Sequence, residues 1–198
     1  MINSQKFSNY YFQQLINAIK DIDYKKIEKI VDLFIRLKKT KGRLFIVGVG
    51  GSAANASHAV NDFRKLCNVE AISPIDNFSE FTATTNDQGF EFAFTESLKV
   101  SKICKKDILL VMSVGGGDLK KKSSIGIINA IKLAKLKKSK IISFTGKKNG
   151  YAGLNSDLNI YCKLNDKSFI TPCSESMQAI IWHCIVSHPR LQTKKTFW

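Results

Sequence analysis

The stretch Arg43–Arg64, RLFIVGVGGSAANASHAVNDFR, constrains the fold more than any other part of the chain. Leu44 to Val47 form a continuous apolar run rich in β-branched residues, glycines follow at 48, 50 and 51, and Ser52 opens a segment of helical spacing. That order specifies a strand, a tight turn and a helix N-terminus. Bare backbone amides and the positive end of a helix dipole then meet whatever approaches, which suits an anion such as phosphate. His58 and Asp62, four residues apart, share one face of that helix. An anion grip and a polar pair thus belong to one unit.

The rest of the chain repeats the theme. Asp107–Ser113, DILLVMS, is a buried strand that runs into Gly115, Gly116 and Gly117; after the charged segment Asp118–Lys122, Ser123 or Ser124 caps a helix with apolar positions Ile127, Ile128, Ile131 and Ala134. Further strands are expected at Val69–Ile72, ended by Pro74, at Lys140–Thr145 and at Leu158–Cys162. A last helix runs from Glu175 to Val186 and stops near Pro189, with His188 at its end facing the helix dipole. Asp76–Ser79 reads as a loop or helix cap, and Thr84–Gly89 as a polar loop before a helix at Phe90–Val100. In that loop Asn86 and Asp87 either hold hydroxyls of a ligand or form an Asx turn. Ahead of all this stand two helical patterns, Phe12, Leu15, Ile16 and Ile19, then Ile27, Ile30, Val31, Phe34 and Leu37, with a break at Asp21–Asp23. Their apolar faces must bury against the sheet or a second subunit. Strands alternating with helices predict an α/β fold, a parallel sheet covered on both faces, with ligands at the carboxyl ends of the strands.

With 198 residues and 44% hydrophobic composition, residues 1–198 are expected to form one domain. No apolar run approaches the length of a membrane span and no basic start precedes an apolar segment, so no membrane association and a cytoplasmic location are expected. Five cysteines, at 67, 104, 162, 173 and 184, include no CxxC pair and read as reduced, mostly structural thiols. The net charge of +15 raises nucleic acid as a partner. The lysines are spread along the chain, however, and no helix-turn-helix, RNA-binding aromatic motif or zinc module accompanies them, so no nucleic acid partner is expected. The charge reads as solubility and as steering of a small phosphorylated ligand. The glycines do not follow GxGxxG, no acid ends the second strand, and GxxxxGK[ST] is absent. A phosphomonoester fits better than a dinucleotide or a nucleoside triphosphate.

FIVGVGGSAANASHAVNDF, then TNDQGFE, MSVGGG, FTGKKNG and TPCSESMQAIIWH, in that order, resemble the sugar isomerase (SIS) domain family and within it the phosphoheptose isomerase group. The resemblance covers nearly the whole chain. It implies a three-layer α/β sandwich, flavodoxin- or Rossmann-like, with a five-stranded parallel sheet and an N-terminal helical hairpin. It also implies a homotetramer with sites between subunits, and conversion of sedoheptulose 7-phosphate to D-glycero-D-manno-heptose 7-phosphate for surface glycans.

Carried over by position, the family's Asn-Gly-Gly-Ser becomes Val49, Gly50, Gly51 and Ser52, and its Asn-Asp pair is Asn86 and Asp87. In its hydroxyl-rich phosphate loop Ser113 and Ser124 match, while Val114, Gly115, Gly116 and Gly117 replace hydroxyls and about six residues are inserted, so phosphate recognition would lean on N–H groups and a lysine among 120–122. The family's His and Glu four apart correspond to His58 and Asp62, and its Gln and His eight apart to Glu175 and His183. The resemblance makes these four a two-His, two-carboxylate site for Zn²⁺. It makes His183 one acid/base, with Glu175 or Asp62 the other, in an aldose–ketose proton transfer through an enediolate. Trp182, Ile180 and Ile181 are expected to pack, and Gln178 is equally readable as site or surface. The alternatives are a non-catalytic phosphosugar-binding protein of the same fold, or an isomerase of another sugar phosphate.

Overall fold

The computed structural model describes residues 4–195. Five short strands, β1 (Leu44–Val47), β2 (Ala71–Ile72), β3 (Ile108–Ser113), β4 (Lys140–Thr145) and β5 (Leu158–Tyr161), form one parallel sheet in the order β2-β1-β3-β4-β5. The strands alternate their side chains between two cores. Leu44, Ile46, Ile108, Leu110 and Met112 face α1 (Ser4–Lys20), α2 (Tyr24–Lys39), α3 (Gly51–Cys67) and α8 (Ile170–Val186), whereas Phe45, Val47, Leu109 and Val111 face α4 (Phe78–Gln88), α5 (Phe90–Val100), α6 (Ile125–Leu136) and α7 (Tyr151–Asn155). A strand buried on both sides can be apolar throughout, as β1 is, and β3 is apolar up to its last residue, Ser113. The strand order reverses between β1 and β3, so the two glycine loops open side by side at the crevice where such sheets bind ligands.

Three expectations need correction. Thr84–Gln88 is not a loop but the end of α4, placing Asn86 and Asp87 in its exposed last turn, where the Asn86 amide donates to the Asp87 carboxylate at 2.9 Å. The helix cap expected within Asp76–Ser79 is Asn77, whose side chain accepts from the amide of Glu80, and the helix it starts runs on through Gln88. α8 begins at Ile170, not Glu175, because Pro172 sits in the first turn, where its missing N–H costs no helical bond. His188 pairs with Glu28 at 3.4 Å and ties the exit of α8 to α2 instead of facing the helix end. The N-terminal hairpin is as expected; the α2 stripe is buried, while Phe12 and Ile16 of α1 remain exposed. Burial pushes the thiols of Cys67 and Cys162 up, to about 11 and about 12, which keeps them protonated and inert.

One buried ion pair ties the amino ends of β1 and β3. The Asp107 carboxylate takes the Arg43 guanidinium at 2.9 Å, the Arg43 amide at 2.9 Å and the Cys104 amide at 2.9 Å. Burial alone would raise the Asp107 pKa, but these donors hold it below the usual carboxylate range. Because the folded-state pKa is depressed, this stabilisation is present above the unfolded pKa of about 3.9 and is lost as pH falls through the folded value. Asp107→Asn should therefore destabilise the protein by roughly 3 kcal/mol at neutral pH and by progressively less as the pH falls below 4, measured by urea unfolding across pH.

Candidate active site

The β1–α3 turn takes its shape from glycine. Gly50 lies at φ 63° and ψ −131°, and a side chain on Gly51 would meet the Glu175 carboxylate at 2.5 Å. The Ala53 and Ala54 amides both return to the Gly50 carbonyl, which leaves those of Gly51 and Ser52 without an acceptor among the described residues. The Ser52 hydroxyl is buried and has no partner either. A hydroxyl beside two free amides at a helix N-terminus is a donor set suited to an anion.

The second glycine loop is used differently from the expectation. Gly116 and Gly117 adopt φ 71° and 86°, and the loop packs on the chain after β4: the Tyr151 and Ala152 amides bond the carbonyls of Gly117 and Gly116 at 2.9 and 2.8 Å. Its glycines thus serve close loop-to-loop contact. The Gly116 amide already donates to the Ser113 hydroxyl at 3.0 Å. Asp118 and Ser123 close the inserted residues into a small antiparallel bridge. Ser124 occupies the N-cap of α6 at φ 52°, yet its hydroxyl makes no capping bond. A cleft of about 360 Å³ opens beside this loop, lined by Gly115, Gly117, Lys120, Lys121, Lys147 and Tyr151.

α3 and α8 lie side by side and run the same way, and their contacts form a ladder. From the carboxyl edge of the sheet downward, Gly51 meets Glu175, the Asn55 amide donates to the Glu175 carbonyl at 2.9 Å and to Gln178 at 3.2 Å, and the His58 ring stands 4.7 Å from Trp182. Asp62 then lies 3.8 Å from His183, and the Cys67 thiol donates to the Val186 carbonyl at 3.4 Å. The spacing 51, 55, 58, 62 is one stripe of a helix. Asn55, which sequence reasoning passed over, is legible on that stripe. Gln178 is an interior residue of the ladder, and Ile180, expected to pack, is exposed because it faces away from it.

His58, Asp62 and His183 each offer a ligand atom within 4.8 Å of the others. The Asp62 carboxylate, with its side chain 14% exposed, stands 3.8 Å from the Nε2 atom of both histidines, which are about half exposed. The two imidazoles meet at 85° over the buried Trp182 ring. Two imidazoles and one carboxylate with an open fourth side fit the ligand set of a catalytic Zn²⁺. Glu175, expected as a fourth ligand, is outside this group within one chain. Eight residues separate it from His183, about 12 Å of helix, and its carboxylate lies against Gly51 instead.

These features put a glycine turn with free amides at the switch point of a parallel sheet and a histidine–carboxylate group along the helix that follows it. The SIS domain model matches residues 9–146, and the chain belongs to that family. It is 27% identical over 164 residues to the phosphoheptose isomerase of Helicobacter hepaticus, covering 80% of this chain and 78% of that protein. It is 26% identical over 197 residues to phosphoheptose isomerase 1 of Campylobacter jejuni, covering 97% of each. The phosphoheptose isomerase structure from Francisella tularensis superposes with a TM-score of 0.80 at 21% identity, over 93% of this chain and 97% of that one.

His58→Ala and Asp62→Asn should each weaken Zn²⁺ binding by about 100-fold in isothermal titration, whereas Glu175→Gln should weaken it less.

Proposed function

We propose that this protein is an aldose–ketose isomerase acting on a sugar phosphate, converting sedoheptulose 7-phosphate to D-glycero-D-manno-heptose 7-phosphate for surface-glycan synthesis. The observation that carries the reading is Asp62 shared between His58 and His183 on the helix that begins at the phosphate cradle. A phosphosugar binder has no use for such a set. The names of the similar relatives support the same chemistry.

The reaction moves a proton between C1 and C2 and a second proton between the two oxygens, through an enediolate. Asp62 or His183 removes the carbon-bound proton and returns it to the neighbouring carbon; the other group carries the proton between oxygens. His58 and the Trp182 ring hold the His183 imidazole in place. In place of that proton relay, Zn²⁺ held by His58, Asp62 and His183 would supply Lewis-acid stabilisation of the developing oxyanion, because a liganded side chain no longer has a lone pair free for the proton. The free amides of Gly51 and Ser52 and the Ser52 hydroxyl hold the phosphate, with Ser113 and Ser124 flanking it from the second loop.

Asp62 stands eleven residues along α3 from Gly51, about 16 Å of helix, more than an extended seven-carbon sugar phosphate spans. A second copy that presents its own glycine loop to this histidine pair removes the mismatch. The exposed Phe12–Ile16 stripe of α1 supplies apolar surface for such an assembly. We therefore read the active protein as a homo-oligomer, a tetramer in the family pattern, with sites between subunits. The second loop, whose amide and hydroxyl already bond each other, favours a different sugar phosphate as the alternative substrate.

Purified protein should convert sedoheptulose 7-phosphate, and His183→Ala should lower kcat by about 10²- to 10⁴-fold with the fold intact by circular dichroism. No conversion at any Zn²⁺ concentration, with the sugar phosphate still bound, would leave a phosphosugar-binding protein or another substrate. Ser52→Ala should raise KM about tenfold while leaving thermal stability unchanged or slightly higher, because the hydroxyl has no partner to lose in the free protein.

A further inference from the structure

The lysines that look dispersed along the sequence are gathered by the fold. In a parallel sheet every helix-to-strand connection returns to the same edge. Here the connections into β1, β3 and β4 read RLKKTKGR, KVSKICKKD and KLKKSK. These three place thirteen of the 31 basic residues at the amino edge against one acid, Asp107, which is already committed to Arg43; the connections into β2 and β5 add only Glu70 and Asp157, the latter paired with Lys140. A cleft of about 600 Å³ lies there, bounded by Lys102, Lys105, Lys137 and Lys138. It shares Lys138 with one neighbouring cleft and Lys105 with another, so the basic surface is continuous. Lys102, Lys105, Lys137 and Lys138 have no ion-pair partner among the described residues.

Two further features distinguish this edge from a merely solvated one. The residues that follow α2, α5 and α6 in left-handed conformation are Lys41, Lys102 and Lys138, at φ 51°, 52° and 59°, where glycine is the usual occupant. Lysine thus occupies all three of these helix-end positions at the amino edge, as Lys122 does once in the carboxyl-edge insert. In addition, the aliphatic side chains Val100, Leu136 and Leu154 stand 73%, 75% and 69% exposed among these lysines, at the ends of α5, α6 and α7. Leu136 lines the larger cleft and Leu154 the adjoining one. A nucleic acid backbone offers such side chains nothing, and among the described residues no exposed aromatic ring at this edge offers a stacking platform for bases.

The geometry points to a peripheral docking face for an anionic lipid bilayer: lysines against the headgroup charge, with Val100, Leu136 and Leu154 entering the interface. The sheet would stand on its amino edge, leaving the glycine loops at the opposite edge open to solvent. No helix among the described residues is long and apolar enough to cross a membrane, so the contact is superficial.

Co-sedimentation of the full chain with vesicles of phosphatidylcholine alone, or mixed with phosphatidylglycerol, tests the proposal. Binding to the mixed vesicles only is expected, falling about tenfold in the triple variant Lys102→Glu, Lys105→Glu, Lys137→Glu and falling also as salt shortens the Debye length below about 10 Å. Leu136→Ser, which leaves the charge unchanged, should weaken vesicle binding severalfold while thermal stability holds. Equal recovery with both vesicle types would overturn the inference. So would vesicle binding indifferent to Leu136→Ser and displaced by a short RNA duplex, which would mark the edge as a polyanion surface of another kind.

Discussion

The lateral packing of α3 on α8 is the contact on which the rest of the site depends. Two helices that start at the same edge of the sheet and run in the same direction stay in contact for their whole length, so each turn of one meets a fixed turn of the other. The close approach requires a small group at the top, Gly51 under Glu175. Lower down it is filled by Phe63, Met177, Trp182 and Ile185, all buried in the same core. Parallel dipoles do not attract, so this pairing is held by apolar burial and by the Asn55 bridge. Chemistry placed along such a seam is rigid because the seam is part of the core.

Much of this was legible beforehand, for reasons that can be stated residue by residue. β4 is legible to the residue, because Ser139 and Gly146 bracket a six-residue run with Ile141, Ile142 and Phe144 at its centre and no helical period. The four-residue spacing of His58 and Asp62 already put them on one face, and the resemblance paired them with His183. Asn86 and Asp87 were misplaced because α4 buries no residue completely and so shows no apolar stripe; its only signature is the Asn77–Glu80 cap. Glu175 was grouped with His183 through a family pattern that does not say which atoms come from one chain. Helical rise separates them.

The charge is distributed differently in space and in sequence. A linear count finds lysines in every segment, and that is a correct description of the sequence. Parallel topology sends every second connection to the same edge, so an even distribution along the chain becomes an uneven one in space. Only the order of strands and helices, not the composition, contains that information.

The latch between the two carboxyl-edge loops has a bearing on how such a protein changes over time. Gly117 is held by the Tyr151 amide, Gly116 by that of Ala152, and the Asp118–Ser123 bridge closes what lies between Gly117 and Ser124. Both ends of the excursion are pinned by bonds that do not involve its interior. Residues can be gained or lost there while Ser113 and the start of α6 keep their positions, which makes this loop a natural place for lineages to alter ligand preference without remaking the fold.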